Sequence, residues 1–565
     1  RRFTPPGGPA ADAAAAARRL ASVLCSDAID DSCISVFESR GHKVVQRPEL
    51  GKEREELLRV MPEFDALVVR SGTQVDADVI NAGTSLKIIG RAGVGVDNID
   101  LKEATRRGVM VMNTPSGNTV STAQLAVSLM CNLARDVPAA DMSCKEGKWE
   151  RKRFMGIEMA GKTLAVVGCG RIGQVVASAA TAMGMDVIGF DPVMSAEAAA
   201  SVGIRKVELD QVWAEADFIS LHTPLTPDTR NLVNDETLAR CKDGVRIINC
   251  ARGGIVDQDA LLRGLESGKV GGAALDVYDS EPPGESAAAL LAHERLVCTP
   301  HLGASTDEAQ VNVARDVAVQ MCDALDGIDY VGAVNVSYMA LTGLPPMRPF
   351  MRLAATMGSL AAQMVPGKVS SVTLRTWGGR DVDVTSRDAR DLLLALVLQG
   401  VVSHLAPEAG ATLVSAPLLA AEKGVRAGWS PELPDRVGSP YLNLVSVEVE
   451  CEGGGAPFTM TGSVFGSEPH IVQIQSFRDA FSFRPDTPFL LTFRNEDRPG
   501  AVSGVLSVLQ SANVNIASLN VARQADERAL CLMALDDDLP EEALEQLRLN
   551  DAISEVRKVA LRTGV

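Results

Sequence analysis

The chain has 565 residues, too many for a single hydrophobic core, and this length predicts roughly three to four domains. Its net charge of −17 argues against a nucleic-acid-binding surface, but it leaves room for a locally basic site that binds an anionic substrate. The 11 cysteines show neither a CxxC pair nor the spacing of a zinc site, so we expect free thiols, a reducing compartment and no bound metal. The longest apolar run, around residues 392–402, is too short to span a membrane and is interpreted as a core helix.

The first twenty residues differ in composition from the rest of the chain. They begin with Arg1 and Arg2, are rich in alanine and contain Asp12 as their only acid. This composition is typical of a transit-peptide remnant or a disordered tail. We therefore expect residues 1–20 to lie outside the folded domains, and the protein to reside in the plastid stroma or another organelle, with the cytoplasm as the alternative.

Strands and helices alternate along the next three hundred residues or so, which predicts two doubly wound parallel sheets. The strands of the first unit are predicted at 22–25, 44–45, 66–69, 86–89 and 109–112. The strands of the second unit are predicted at 163–167, 186–190, 218–222, 245–250, 272–277 and 296–299. A helix over 121–136, capped by Ser121 or Thr122, joins the units, and a helix over 306–326 returns to the first. The predicted domains are residues 21–118 with 303–330, and residues 119–302.

The amino-acid composition changes beyond residue 330. Residues 331–487 are rich in Gly, Val and Ser and contain short β-like runs at 444–449 and 458–464, which predicts a separate α+β domain. Residues 488–565 are predicted to form a strand, a helix, two strands, a helix and a strand. That βαββαβ order is typical of a ferredoxin-like module.

A glycine turn directly after the strand at 163–167 is the most informative motif. It reads Gly168-Cys169-Gly170-Arg171-Ile172-Gly173, and Asp191 follows at the end of the next strand. Gly168 permits the tight turn, Gly170 lets the backbone approach a pyrophosphate, and Gly173 lets the helix sit close to the strand. The N-terminus of the following helix favours binding of the pyrophosphate anion. Asp191 is placed to accept a hydrogen bond from a ribose hydroxyl. Because a carboxylate there repels a 2′-phosphate, the motif predicts NAD rather than NADP.

Three further polar residues follow predicted strands of the same unit: Arg252, Glu281 before Pro282, and His301. Ligands bind at the carboxyl ends of strands in open α/β sheets. A histidine beside a carboxylate is a proton-transfer pair, and an arginine offers a fork for an α-keto carboxylate. These groups are the ones needed to oxidise an α-hydroxy acid beside a nicotinamide.

At these residues the chain resembles the D-isomer-specific 2-hydroxyacid dehydrogenases, and the resemblance covers nearly all of residues 20–565. It rests on the motifs at residues 69–71, 90–98, 113–118, 149–154, 250–254 and 300–305. Within the family the chain resembles most the long members that oxidise 3-phospho-D-glycerate with NAD to 3-phosphohydroxypyruvate, the first step of phosphorylated L-serine biosynthesis. The resemblance implies a flavodoxin-like first domain, a Rossmann second domain, an intervening domain and a C-terminal ACT domain.

The resemblance also implies roles for individual residues. Arg252, Glu281 and His301 would be catalytic, with His301 taking the proton of the substrate hydroxyl. The cofactor would contact Gly168, Gly170, Arg171, Ile172, Gly173, Asp191, Thr223, Cys250, Asp276 and Gly303. The phosphorylated substrate would contact Arg70, Ser71, Arg91 and Arg151, of which Arg151, or Arg153 in its place, would reach it from a neighbouring subunit of a homodimer or homotetramer.

In the ACT module the resemblance places Asp497 and Asn515 at the site that holds L-serine in regulated relatives. Asn495 differs from the aromatic or histidine found there in some of them, so serine inhibition and a purely structural dimerisation module both stay open. Two other departures are Val94, where many relatives carry a hydroxyl, and Cys169, which we interpret as a small buried hydrophobe. His42, His222 and His293 are interpreted as structural.

Two alternative functions remain open from the sequence. A glyoxylate or hydroxypyruvate reductase, or another 2-hydroxyacid dehydrogenase, would use the same three catalytic residues. Phosphate recognition by Arg70 and Arg91 discriminates between these enzymes. A more remote alternative is an NADH-sensing scaffold like the C-terminal-binding-protein corepressors.

Overall fold

The computed structural model describes residues 20–378, 382–431, 441–475, 477, 482–484, 488–523 and 528–561. The segment interpreted as a transit remnant or tail lies outside these residues except for residue 20, so its nature and the expected compartment stay predictions. Among the described residues, none of the helices combines the length and apolar character needed to cross a membrane.

The first unit is a parallel five-stranded sheet in the order β2-β1-β3-β4-β5, the flavodoxin-like order. Its strands are β1 Ser22–Cys25, β2 Lys43–Gln46, β3 Ala66–Val69, β4 Ile88–Arg91 and β5 Met110–Asn113. Its helices are α1 Asp31–Ser39, α2 Arg54–Val60, α3 Ala77–Ala82 and α4 Leu101–Arg106, and aspartates cap three of them. The long helix α5 Thr119–Arg135 and then α6 Val137–Lys145 lead out of this unit.

The second unit is a parallel seven-stranded sheet in the order β12-β11-β10-β9-β6-β7-β8. Its strands are β6 Thr163–Val167, β7 Asp186–Phe190, β8 Arg205–Lys206, β9 Phe218–Leu221, β10 Val245–Asn249, β11 Val270–Leu275 and β12 Leu296–Cys298. Its helices are α7 Arg171–Ala182, α8 Ala196–Ser201, α9 Leu209–Glu215, α10 Asp235–Arg240, α11 Gln258–Ser267 and α12 Ala288–Leu291. This is Rossmann topology with one added strand, and the strand order reverses between β6 and β9.

The helix expected to return to the first unit is α13 Asp307–Leu325. Its buried face, which includes Val313, Val317 and Met321, belongs to the same hydrophobic core as Val23 and Val68 of the first sheet. The chain therefore crosses between the two units twice, once through α5 and once before α13.

The third unit contains a mixed five-stranded sheet in the order β14-β13-β15-β16-β17. Its elements are α14 Arg348–Met364, β13 Val369–Gly378, α15 Arg387–Leu405, α16 Ala416–Glu422, β14 Arg426–Trp429, β15 Asn443–Cys451, β16 Phe458–Phe465 and β17 Glu468–Ile474. The apolar run around residues 392–402 lies in α15 and is largely buried, as expected for a core helix.

The fourth unit is an antiparallel sheet in the order β19-β20-β18-β21, with two helices on one face. Its elements are β18 Phe489–Glu496, α17 Ser503–Ser511, β19 Ile516–Arg523, β20 Arg528–Leu535, α18 Glu541–Arg548 and β21 Ile553–Ala560. The opposite face, with Leu490, Leu532 and Val559, shares a core with the third unit. The predicted fold class is confirmed in all four units.

The structure differs from the sequence prediction at several element ends. The joining helix starts at Thr119, so Ser121 and Thr122 lie in its first turn and are not its caps. Both hydroxyls instead donate to the carbonyl oxygen of Gly303, each at 2.9 Å. The strand predicted at 86–89 starts at Ile88 because the backbone N–H of Leu86 closes a turn on Gly83.

Candidate active site

The glycine turn between β6 and α7 has the geometry of a pyrophosphate cradle. Gly168 has a φ of +92°, a conformation that favours glycine. A Cβ on Gly173 would lie 2.2 Å from the carbonyl oxygen of Gly168, so only glycine allows this contact of helix and strand. A Cβ on Gly170 would meet nothing within 4 Å, which leaves the space above the turn open. Arg171 and Ile172 begin α7, and the guanidinium of Arg171 donates to the carbonyl oxygen of Pro115 at 3.5 Å.

Asp191 follows β7 and connects the glycine turn to the next segment. Its Oδ2 accepts from the backbone N–H of Cys169 at 2.9 Å, and its Oδ1 accepts from Val193 and Met194 at 2.8 and 3.0 Å. Because each carboxylate oxygen has two lone pairs, Oδ2 keeps one for a ribose hydroxyl. The carboxylate thus fits the cofactor position that its spacing predicts.

The strand ends next to the glycine turn are buried and mostly apolar. The Oγ1 of Thr223, which follows β9, is buried and has no hydrogen-bond partner among the described residues. A buried hydroxyl of this kind requires a partner, and a bound cofactor would supply one. Cys250 follows β10 in the same apolar core as Cys169, and burial raises the pKa of both thiols, that of Cys169 to about 11. Cys169 therefore acts as a small buried side chain, as expected.

The histidines interpreted as structural each bond to nearby groups of the chain. His222 Nε2 and Ser220 Oγ are 2.8 Å apart, and burial lowers the pKa of His222 to about 4, so its ring is neutral near pH 7. His42 and His293 each accept a backbone N–H at 3.2 Å.

His301 and Glu281 form a hydrogen-bonded pair at the carboxyl edge of the second sheet. His301 Nδ1 lies 2.6 Å from Glu281 Oε2, and Glu281 Oε1 accepts from the backbone N–H of Tyr278 at 3.2 Å. A carboxylate can only accept, so Nδ1 carries the proton and Nε2 is the ring nitrogen left for a ligand. Both side chains are accessible, with 44% and 38% of their surface exposed.

Asp276 holds the segment that carries His301. Its side chain is fully buried at the end of β11, where burial raises its pKa. Its Oδ1 accepts from the Thr299 hydroxyl at 2.5 Å and from Leu302 N–H at 2.7 Å, and its Oδ2 accepts from Gly303 N–H at 2.9 Å. The observed contacts of Asp276 and Gly303 are therefore structural, and their predicted contact with the cofactor stays a prediction.

Arg252 reaches from the second unit to the first. Its Nε donates to Oδ2 of Asp97 in the first unit at 2.9 Å. A Cβ on Gly95 would lie 1.9 Å from its Nη2, so the glycine makes room for the guanidinium. Arg252, Glu281 and His301 follow the neighbouring strands β10, β11 and β12, which are spaced about 4.8 Å apart. The structure thus brings all three predicted catalytic residues to one edge of the sheet.

Arg70, Arg91 and Arg252 form a group that we call the arginine cluster. The pKa of Arg91 is lowered to about 10, mainly by burial and also by the charges of Arg252 and Arg70, while Asp97 and Asp27 act in the opposite direction. The three arginines lie together because Asp97 bonds to Arg252, while the next residue, Asn98, bonds to the Arg91 guanidinium and to the Arg70 backbone. The group has a net positive charge and therefore suits an anionic ligand, in a protein whose overall charge is −17.

The remaining predicted substrate residues lie on two segments. Ser71 is exposed next to Arg70, whose Nη1 donates to the carbonyl oxygen of Ala28 at 3.2 Å. Arg151 is exposed between α6 and β6, while Arg153 pairs with Glu150 and Glu294. The contact of Arg151 with the substrate, which requires a neighbouring subunit, stays a prediction.

Sequence reasoning missed three residues that hold the arginine cluster: Asp27, Asp97 and Asn98. Asp97 pairs with Arg252, a residue 155 positions away in the sequence. Asp27 and Asn98 bond to the segment that carries Arg70. Asp97 and Asn98 lie inside the motif at residues 90–98. Two adjacent polar residues directly after a glycine-rich stretch were the signal that could have indicated their role.

The two predicted effector residues lie at opposite ends of the fourth sheet. Asp497 Oδ2 is 3.1 Å from Arg523 Nε, and Asn515 Nδ2 donates to Asp536. The strand β20 runs from Arg528, which lies at the Asp497 end of the sheet, to Leu535, which lies at the Asn515 end. These two ends of β20 are about 23 Å apart along an extended strand. One copy of the module therefore does not bring both residues to one small ligand. Asn495 is buried, and Cys531 donates to its Oδ1 at 3.3 Å.

Among the described residues, no group of three or more His, Cys, Asp and Glu side chains could hold a metal ion. The site instead combines an open glycine turn, a free imidazole nitrogen oriented by a carboxylate, and the arginine cluster. This combination can bind a dinucleotide, accept a proton from a hydroxyl group and bind an anionic substrate.

Comparison with known proteins places these features in a family. The model of the D-isomer specific 2-hydroxyacid dehydrogenase NAD binding domain matches residues 127–303, that of the D-3-phosphoglycerate dehydrogenase intervening domain matches 346–475, and that of the ACT domain matches 489–548. The chain is 40% identical over 525 residues to the human D-3-phosphoglycerate dehydrogenase, covering 92% of this chain and 96% of that protein. It is 41% identical over 530 residues to the Synechocystis D-3-phosphoglycerate dehydrogenase, covering 94% and 92%.

A solved structure also resembles part of this chain. The TT0316 protein from Thermus thermophilus aligns with a TM-score of 0.51 at 33% identity, covering 55% of this chain and 99% of that one. The glycine turn, Asp191 and the buried Thr223 hydroxyl fit the NAD that the matching domain binds. The chain therefore belongs to the D-3-phosphoglycerate dehydrogenase family, a branch of the NAD-dependent D-isomer specific 2-hydroxyacid dehydrogenases.

Proposed function

We propose that the chain oxidises 3-phospho-D-glycerate with NAD to 3-phosphohydroxypyruvate, the first step of phosphorylated L-serine biosynthesis. The observation that carries the choice of substrate is the arginine cluster, in which Arg252 shares the carboxyl edge of the second sheet with the His301–Glu281 pair. A phosphorylated hydroxy acid has one anionic group at each end, and two or more arginines can bind both. The names of the human and Synechocystis relatives support the same substrate.

His301, Glu281 and Arg252 have separate roles in the proposed reaction. Nε2 of His301 accepts the proton of the C2 hydroxyl, and the carboxylate of Glu281 stabilises the imidazolium that forms. Arg252 binds the substrate carboxylate and stabilises negative charge on the oxygen that becomes the carbonyl. The chemistry that bound NAD supplies is acceptance of the C2 hydride at its nicotinamide ring.

Arg70 and Arg91 bind the phosphate in this proposal. Arg91 is the last residue of the buried strand β4, and Arg70 directly follows β3, so rigid elements hold both guanidiniums at one edge of the first sheet. Arg252 pairs with Asp97, which is two-thirds exposed, and in this proposal the substrate carboxylate takes the place of Asp97. Phosphate binding at one end then positions C2 beside His301 at the other.

The test compares NADH formation from 3-phospho-D-glycerate and from D-glycerate by the full-length protein at alkaline pH. We expect turnover with the phosphorylated acid and at least about a hundredfold lower kcat/KM with D-glycerate, as loss of two charged contacts implies. A preference for D-glycerate or glyoxylate would assign the chain to the reductases. No turnover of any acid would favour the scaffold.

We propose that the enzyme works as a homodimer or homotetramer. Exposed apolar side chains follow α5: Val137 and Met142 on α6, then Trp149 and Met155, the last two about four-fifths exposed. A second copy of this chain is the proposed occupant because Arg151, which lies in the same segment, is predicted to reach the substrate of the neighbouring subunit. Sedimentation of the full-length protein should give a dimer or tetramer, whereas a fully active monomer would contradict this proposal.

The ACT domain supports L-serine as the effector. Because Asp497 and Asn515 lie about 23 Å apart in one module, a serine that touches both must bind between two modules. Millimolar L-serine should inhibit the wild-type enzyme and should inhibit Asp497→Ala and Asn515→Ala much less. Equal inhibition of all three proteins, or no inhibition of the wild type, would leave the module with the dimerisation role alone.

A further inference from the structure

Asn98 lies between the two arginines that we propose bind the substrate phosphate, and it bonds to the segments of both. Its Nδ2 donates to the carbonyl oxygens of Arg70 at 2.8 Å and of Thr73 at 2.7 Å. Its Oδ1 accepts from Nε of Arg91 at 3.2 Å. One carboxamide therefore connects the Arg70 segment to the Arg91 guanidinium.

Asp27 holds the same segment from its other side. Its Oδ2 accepts from the backbone N–H of Arg70 at 2.6 Å and of Thr73 at 3.2 Å, and its Oδ1 accepts from the Thr73 hydroxyl at 2.8 Å. Residues 70–73 are thus bonded through their N–H groups to one side chain and through their carbonyl groups to another. With both in place, the backbone from which the Arg70 side chain projects is fixed.

Arg91 depends on Asn98 in a different way. Among the described residues, no carboxylate lies within ion-pair distance of the Arg91 guanidinium, so no charged partner orients it. The glycine at position 93 leaves room for its Nη1, because a Cβ there would lie 2.5 Å from that atom. The bond to Asn98 occupies Nε and leaves the two terminal nitrogens of the fork for a phosphate.

We infer that Asn98 is a positioning residue for phosphate recognition, an inference that rests on the proposed function. It orders Arg70 and Arg91 into one binding geometry and touches neither the reacting carbon nor the cofactor turn. The residue type follows from the three bonds, because only a carboxamide offers two donors for carbonyl oxygens and an acceptor for a guanidinium on one short side chain. Its loss therefore weakens selection of the phosphorylated substrate and spares hydride transfer.

The variant Asn98→Ala tests this inference, with Asn335→Ala as the matched control. Asn335 also makes three hydrogen bonds within the first unit, to Val111 N–H, the Val109 carbonyl and the Thr105 hydroxyl, but it bonds to neither arginine. For Asn98→Ala we expect the ratio of kcat/KM for 3-phospho-D-glycerate over D-glycerate to fall about tenfold, mainly through KM. We expect the ratio for Asn335→Ala and the Kd for NADH of both variants to stay within about twofold of wild type.

A second variant covers the case in which the alanine protein fails to fold. Asn98→Asp keeps the shape and the acceptor for Arg91, but its oxygens face two carbonyl groups and its charge repels a phosphate. The same loss of preference is expected. Combining Asn98→Ala with Arg91→Ala should cost less than the product of the two single effects, because Asn98 acts through the arginine.

The outcomes separate this inference from the proposed function. An unchanged substrate ratio in Asn98→Ala and Asn98→Asp overturns the role of Asn98 alone, and so does an equal loss for both substrates. A wild-type enzyme without preference for the phosphorylated acid overturns the proposed function and this inference together.

Discussion

Replacement of Glu281 tests the role of the His301–Glu281 pair in proton transfer. The substitution Glu281→Gln keeps the shape and an oxygen that can accept from Nδ1 of His301, but it removes the negative charge 2.6 Å from the ring. We expect kcat to fall about tenfold while the KM for the substrate stays within about twofold. The His301→Ala variant, which removes the proton acceptor itself, should lose about 10²–10⁴-fold in kcat.

The tenfold figure follows from the geometry of the pair. A hydrogen bond to a charged group contributes about 1.5–3 kcal/mol and a neutral one about 0.5–1.5 kcal/mol, so loss of the charge costs about 1–1.5 kcal/mol. The larger costs that apply to a buried pair are not expected, because 44% of His301 and 38% of Glu281 is exposed and water screens the pair. About 1.4 kcal/mol in the barrier corresponds to a tenfold change in rate. The ring becomes cationic only as it takes the proton, so the loss falls on kcat.

The assay is single-turnover NADH formation from 3-phospho-D-glycerate, which separates chemistry from product release. Glu285→Gln, an exposed glutamate four residues further on, is the control and should match the wild type. A Glu281→Gln rate within twofold of wild type, or an equal loss in the control, would refute the pairing of Glu281 with the proton acceptor.

Three more predictions concern the cofactor site. Gly173→Ala places a Cβ 2.2 Å from a backbone oxygen, so we expect a lower Tm and about tenfold weaker NADH binding in fluorescence titrations; unchanged affinity would contradict the cradle. Asp191→Asn removes the charge that repels a 2′-phosphate, so the kcat/KM preference for NAD over NADP should fall about tenfold, and an unchanged preference would exclude Asp191 as the selector. Because burial raises the pKa of Cys169 to about 11, its thiol stays protonated until the pH approaches that value. Alkylation near pH 8, followed by mass spectrometry, should therefore modify the exposed Cys144 and spare Cys169, whereas rapid modification of Cys169 would contradict its structural role.

The cofactor site was predictable because its motif is local in the sequence. The glycine turn, the strand before it and Asp191 lie within about thirty residues, and the spacing alone fixes their relative positions. Arg252, Glu281 and His301 were also predictable as a group, since each directly follows a strand and parallel strands end at one edge of a sheet.

Contacts between distant segments could not be derived from spacing. The pair Arg252–Asp97 joins residues 155 positions apart, and nothing in either neighbourhood indicates the other. The roles of Ser121 and Thr122 depend on Gly303, about 180 residues away, so a capping prediction from local sequence was wrong for both. For Asp497 and Asn515 the resemblance implied one site, while the strand register places them at opposite ends of a sheet.

Selection of a phosphorylated hydroxy acid by Arg70 and Arg91 can be measured as a ratio of substrate specificities. The ratio of kcat/KM for 3-phospho-D-glycerate over D-glycerate is determined for the wild type, for Arg70→Ala and Arg91→Ala, and for Arg47→Ala, an arginine of the same unit that pairs with Glu56. If both arginines bind the phosphate, the ratio falls at least about tenfold in the two cluster variants and stays unchanged in the control. A ratio that is equal in all four proteins would contradict this role of the two arginines.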